Sequence, residues 1–355
     1  MPITQNLSAE GQQLVKQVQH NCDISDAKHA GNYTLCIYLL KMREYYRWIH
    51  ALDFSDQLES ERMSQWLREK EDVWDRVVDE PFQPIRVEQK AYDAFDSKRI
   101  NKRISRHADH LFYHAGIGQK ATQHFFLAQL VKTFKKGEIR VSITGDEYAR
   151  DLTAPPAMST RNEIIVRRES LKRLCWERYQ EWHWSQLDNP MGTALSYYPF
   201  QDSIPQALDL MVETEQDTLI QHELGEMQIS LQYGSSWSPM MLSLLGSKAE
   251  LLARSVRDHL ADCLQTLPFL IDRENSAALH FYFANLTHMR KQLFPSALHA
   301  YQQWSETGNL QPLSELTKKA TQHWEKTVCA ILDINRQNKQ NSAAEIVSLV
   351  EQSNY

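Results

Sequence analysis

Residues 138–166 read EIRVSITGDEYARDLTAPPAMSTRNEIIV, and here the texture of the chain changes. Ile139, Val141 and Ile143 alternate with polar residues up to a Thr144-Gly145-Asp146 turn signal. A second β-rich run, Glu163-Ile164-Ile165-Val166, follows a Pro155-Pro156 loop. Alternation at every second residue places apolar side chains on one face of a strand, so a two-stranded β-ribbon is expected over about 138–167. Because a lone pair of strands is only marginally stable, this ribbon must lie against other elements and is not expected to be a domain of its own.

On either side of it the sequence reads as helix. With 11 Gly and 12 Pro in 355 residues, and helix formers plentiful, long helices with short connections are favoured. Upstream, 33–52 (YTLCIYLLKMREYYRWIHAL) is apolar on nearly every side of a 3.6-residue wheel, as a central buried helix would be. Helical patterns follow at about 60–79, 87–115 and 120–136. The last two stop at Gly116 and Gly137, whose missing side chains suit a helix C-terminus. Downstream, helices are expected at about 168–187, 203–232, 247–264, 273–292, 295–306, 312–335 and 342–352. Ser247-x-x-Glu250 and Ser342-x-x-Glu345 match the capping box, in which a hydroxyl and a carboxylate satisfy backbone N–H groups of the first turn. The expected fold is mainly α, a multi-helix, bundle-like body with a small two-stranded ribbon inserted. The chain is expected to form a single helical unit over 1–355, with 1–137, 138–167 and 168–355 as its natural subdivisions.

Composition narrows the function classes. The apolar fraction of 42% and charged fraction of 24% are those of an ordinary globular chain with ample core material. A formal charge of -6 argues against a general binder of nucleic acid or anionic membrane. Five cysteines, odd in number and without C-x-x-C spacing, fit a reducing compartment. The start, MPITQNLSAEGQQ, has no basic segment followed by an apolar one, and no run of about 18 apolar residues occurs. A cytoplasmic location without membrane spanning is therefore expected. Phosphate-binding glycine loops and the G-x-S-x-G serine elbow are absent.

The most informative chemistry lies at 215–226, EQDTLIQHELGE. At 100 degrees per residue, Glu215, His222 and Glu226 fall within an arc of about 40 degrees, on a face shared with Leu208, Met211, Leu219 and Ile229. Carboxylates on an apolar face need a proton, a cation or a metal. A His and a Glu four residues apart can share one metal ion; they can equally pair with each other and with an Arg from another helix. Glu226 stands where a zincin H-E-x-x-H has its second His, which argues against that protease class.

Three further groups are candidates. His107, His110 and His114, if helical, share one face within about 60 degrees and could supply metal ligands; otherwise they belong to a solvated face beside Lys98, Arg99, Lys102, Arg103 and Arg106. Glu44 reads as a core position of the helix over 33–52, paired with Arg47 one turn on or facing the pocket of His222. Asp258 and Asp262 also share a face, but with Arg254 and Arg257 nearby they read as a solvated, salt-bridged surface.

The motifs TLCIYLLKMREYYRW, GDEYARDLTAPPA, RRESLKRLCWERYQEW, HELGE and MRKQLFP together resemble an uncharacterised bacterial protein family of unknown function. The resemblance covers nearly the whole chain and implies no catalytic residues. Two functional expectations remain. One is a helical enzyme or small-ligand binder with a Glu/His pocket holding a transition metal, its metal candidates being Glu44, His107, His110, His114, Glu215, His222 and Glu226. The other is a non-enzymatic interaction or structural protein, whose charges fix helix packing and whose Trp176, Trp182 and Trp184 helix or basic 98–106 run meets a partner.

Overall fold

A computed structural model describes residues 7–106, 110–118, 122–160, 162–337 and 341–355. The chain divides into two compact units, Met1–Pro156 with Ile165–Trp176, and Ala157–Ile164 with Glu177–Tyr355. Among the described residues no helix is long and apolar enough to cross a membrane.

The first unit opens with α1 (Ala9–His29), which the polar composition of its sequence had hidden. The Ser8 hydroxyl caps it by accepting from Gly11 N at 3.1 Å. Leu14, Val15, Val18 and Cys22 form its buried stripe, at helical spacing. Then come α2 (Leu35–Ile49), α3 (Ser60–Val77), a hairpin of β1 (Ile85–Val87) and β2 (Lys90–Tyr92), and α4 (Ser97–Ile104). Only the C-terminal half of α2 is buried: Leu35 is 70% and Leu40 50% exposed, so this is not the central helix its composition suggested.

The helix expected over 120–136 is instead strand from Gln123, and of the one expected over 87–115 only α4 is helical, flanked by strands. β3 (Leu111–Ile117), β4 (Gln123–Lys136), β5 (Ile139–Arg150), β6 (Ala157–Thr160) and β7 (Glu163–Arg167) form a five-stranded sheet in the order β3-β4-β5-β7-β6. The expected ribbon strands are present as the neighbours β5 and β7, but they are the middle of a larger sheet. Gly137 ends no helix. It takes a left-handed φ of +59° in the tight turn joining Lys136 to its partner Ile139, where a side chain would strain the backbone. One sheet face, with Tyr113, Ala115, Phe125, Leu127 and Ala149, packs with the apolar stripe of α1 and with Ile100 and Ile104 of α4. By strand alternation His114, His124 and Phe126 point to the other face. Tyr45 and Trp48 of α2 lie against Arg150 of β5, whose guanidinium is 4.6 Å from the Trp48 ring. From β7 the chain enters α5 (Arg168–Ser185).

The second unit contains α6 (Pro190–Leu195), the 40-residue α7 (Ile204–Ser243) and α8 (Lys248–Ala261). A π-helical turn (Asp262–Thr266) follows α8 and runs into α9 (Leu267–Asp272). The helix expected over 273–292 is two, α10 (Ser276–Asn285) and α11 (His288–Leu293), because the Thr287 hydroxyl accepts from Arg290 N and restarts the chain as a new helix. Last come α12 (Pro295–Thr307), α13 (Gln311–Gln337) and α14 (Ser342–Glu351). The core is continuous from Ile229 and Trp237 of α7 through α8 to Trp324 and Val328 of α13 and Ile346 of α14. The Ser247 cap forms as its sequence implies, with Oγ accepting from Glu250 N at 3.2 Å, while the Glu250 carboxylate accepts from Gly246 N at 2.7 Å. At α14 the cap position belongs to Asn341, one residue before the expected Ser342.

Candidate metal centre

α7 and α8 are joined by only a few residues, so they run as antiparallel neighbours. They approach closely at Gly225, where a Cβ would lie 2.5 Å from the Ala261 carbonyl oxygen and 2.8 Å from its Cα. This contact brings the HELGE segment of α7 against the end of α8. There the π-helical turn widens the backbone at Asp262, a distortion often found at functional positions.

His222 donates from Nδ1 to Asp262 Oδ1 at 2.7 Å. Its other ring nitrogen, Nε2, lies 3.7 Å from Glu226 Oε1. One ligand atom each from His222, Glu226 and Asp258 all lie within 4.8 Å of one another, and no other such cluster occurs among the described residues. A tetrahedral zinc site with bonds near 2.0–2.1 Å spaces its ligand atoms roughly 3.4 Å apart, so closing the three around an ion requires side-chain movements of about 1 Å. The side chains of His222, Glu226 and Asp258 are 27%, 18% and 29% exposed, so water reaches them.

Asp262 itself is buried, and its second oxygen accepts from Arg290 Nη2 and, at 2.9 Å, from the Tyr282 hydroxyl. Thr266 Oγ1 donates to the first oxygen at 2.9 Å. His259 in turn holds Arg290. Its Nε2 donates to the Arg290 carbonyl at 3.1 Å, leaving Nδ1 toward Arg290 Nη2 at 3.5 Å, while the ring stacks on Trp324 at 4.9 Å. On the exposed side Arg257 donates to Glu226 Oε1 at 2.5 Å.

These contacts set the protonation states. Burial alone would lower the pKa of His222, but Asp262, Glu226 and Asp258 outweigh it and push it up to about 10. Burial would raise Asp262, yet Arg290 and His222 hold it well below the usual carboxylate range. Burial pushes Asp258 and Glu223 up, with Glu226 adding repulsion to both. Burial, then the neighbouring Arg290, lowers His259 to about 3 and keeps it neutral. Four carboxylates (Glu223, Glu226, Asp258, Asp262) thus meet three cations, the guanidiniums of Arg257 and Arg290 and the protonated ring of His222, and a metal ion would take the place of the His222 proton at Nε2.

The other candidates are not members of this cluster. Glu215, two turns earlier on α7, is buried; burial pushes its pKa up to about 8 against a small opposing effect of Thr218, and its Oε1 has no hydrogen-bond partner among the described residues. Glu44 belongs to the first unit and pairs with Arg43 Nε at 2.8 Å and Arg47 Nε at 3.6 Å. The three-histidine helix face does not exist, since His110 sits in a turn and His114 on β3, while His107 lies outside the described residues. Asp258, Asp262, Tyr282 and Arg290 are the members that sequence reasoning did not join to His222. Their signal was present in part: the i, i+4 pair Asp258/Asp262 answers the i, i+4 pair His222/Glu226 across a short helix connection.

Neither the curated proteins nor the solved structures contain a match to this chain. Two family models do match, the N-terminal domain of a family of unknown function (DUF6866) over residues 13–167 and the C-terminal domain of the same family over residues 172–353. The chain therefore belongs to this family of unknown function, as its N- and C-terminal domains in succession.

Proposed function

We propose that the second unit carries a divalent transition-metal centre, with His222, Glu226 and Asp258 as ligands and Asp262 fixing the imidazole. The observation that carries this reading is the division of labour on His222. One nitrogen is committed to a buried, cation-braced carboxylate, and the other faces two further oxygen donors. Metal-bound histidines are regularly held in this way, because a carboxylate on the far nitrogen fixes the tautomer and raises ligand basicity. One nitrogen and two oxygen donors suit a borderline divalent ion such as zinc or manganese. Three protein ligands on a solvent-reached surface leave room for a water or a small ligand, the arrangement used to activate water for hydrolysis. A helical metal-dependent enzyme or small-ligand binder is the function this supports best. A cytoplasmic location belongs to the same reading, supported by five cysteines that form no disulfide among the described residues.

The second reading, a structural protein whose charges fix helix packing, is favoured by one specific contact: Arg257 already occupies Glu226 Oε1. Elemental analysis separates the two. Protein purified without chelator is expected to carry about one equivalent of metal per chain, and His222→Ala and Asp258→Ala to carry none. Metal-free wild type that also takes up no added zinc or manganese would leave the packing reading standing.

A further inference from the structure

The sheet of the first unit holds a second set of ionisable groups, unrelated to the metal centre. Arg167, at the end of β7, is fully buried. Its Nε donates to Glu147 Oε1 at 2.7 Å, and its guanidinium carbon lies 4.2 Å from the centre of the Phe126 ring. Ser170 Oγ donates to the same carboxylate oxygen at 2.8 Å. An arginine whose only task is an ion pair would present its fork of two nitrogens to the carboxylate. Here a single nitrogen does so, and both Nη1 and Nη2 are buried without an acceptor among the described residues. Those two nitrogens carry four N–H donors, and each buried donor left unpaired costs about 1–3 kcal/mol.

Two imidazoles lie on the same sheet face as Phe126, and the charge of Arg167 acts on the nearer, His114. His114 packs on the same Phe126 ring, with centroids 5.5 Å apart. His124, on β4, is anchored by Nδ1 to Asp151 Oδ2 at 3.3 Å. Both rings lie along glycines of β3 and the residues after it: a Cβ at Gly116 would lie 2.8 Å from His114 Nε2, and one at Gly118 would strike His124 Nε2. Gly118 is exposed, so the cluster reaches from the buried fork to the surface at this end of the sheet. Beside it Glu147 pairs with both Arg150 and Arg167, and Asp151 with His124.

We propose that Arg167, His114 and His124 form a binding site for the carboxylate group of a small organic acid. The planar guanidinium fork matches two carboxylate oxygens, and the imidazoles add N–H donors from the β3 side. A singly charged carboxylate is favoured over phosphate because the cost of burying an ion rises steeply with its charge. Phe126 supplies the apolar floor.

Saturation-transfer NMR on the full chain, with acetate as the probe and inorganic phosphate as a comparison, tests this. Acetate is expected to bind saturably to the wild type. Arg167→Lys is expected to weaken it at least tenfold. His114→Gln, which leaves the Glu147–Arg167 pair in place, is expected to weaken it several-fold with an unchanged circular dichroism spectrum. If Arg167→Lys does not fold, His114→Gln decides. No acetate binding, phosphate binding without acetate binding, or acetate binding unchanged in His114→Gln would overturn the proposal.

Discussion

Asp262 serves two cations at once, and that explains why it is worth burying. One oxygen accepts from His222 and Thr266, the other from Arg290 and Tyr282. A carboxylate so fully satisfied is held in one orientation, and it passes that orientation to the imidazole. Asp262→Asn keeps the shape but removes the charge that makes His222 a good ligand. Zinc titration of this variant is expected to show affinity reduced roughly 10–100-fold; affinity equal to wild type would mean that Asp262 has no part in holding the metal. Glu215 makes the contrasting case. Its carboxyl titrates near 4.5 in the unfolded chain but is pushed by burial to about 8 in the fold. Below 4.5 both states hold the proton and the contribution to stability is fully present. As pH rises toward 8 the unfolded chain ionises first, and stability falls by roughly 1.4 kcal/mol per pH unit across that window. Glu215→Gln removes this dependence. Denaturant melts at pH 5 and pH 8.5 are expected to show the variant gaining a few kcal/mol on wild type at the higher pH; parallel curves would contradict the buried, protonated carboxyl.

At the scale of elements, the pairing of α7 with α8 makes the candidate centre. Gly225 lets the two backbones meet beside Ala261, immediately before the turn that presents Asp262. Gly225→Ala must push the helices apart, which typically costs about 1–3 kcal/mol in a packed interior. The expected result is a lower melting temperature together with weaker metal uptake; a loss of stability with metal uptake intact would separate the packing from the site. This juxtaposition was half legible in the sequence. Folding α7 and α8 back on each other about their short connection places 226 within about a turn of 262. His222 and Glu226 stand out on an apolar helix face, whereas Asp258 and Asp262 read as a solvated surface because Arg254 and Arg257 stand beside them. In the fold Arg254 turns to Glu250, and Arg257 reaches Glu226 more closely than it reaches Asp258, which lies 3.9 Å away.

Over the whole molecule, the helical content of the second unit was legible because its apolar residues recur at helical spacing and a cap is spelled out at Ser247, whereas the Thr287 cap that divides 273–292 in two was not read. The sheet of the first unit was not legible. In 120–136 the apolar positions 125–128, 130, 131 and 134 lack the alternation of a half-buried strand and read equally as a buried helix, and only pairing on both sides, with β3 and β5, makes this segment a strand. The same error placed His114 on a helix. It also hid the Arg167 cluster, whose members come together only through cross-strand neighbours. α1 was missed for the opposite reason, since it buries polar residues such as Asn21, Ser25 and Asp26 and lacks the apolar density that marks a core helix. The central claim, a metal ion held by His222, Glu226 and Asp258, is tested most directly by anomalous X-ray scattering from crystals of the full chain grown with zinc and measured on either side of the zinc absorption edge. The account predicts one strong peak within bonding distance, about 2.0–2.2 Å, of the His222 ring nitrogen and of both carboxylates; a map with no peak there, or with zinc only at other positions, would contradict it.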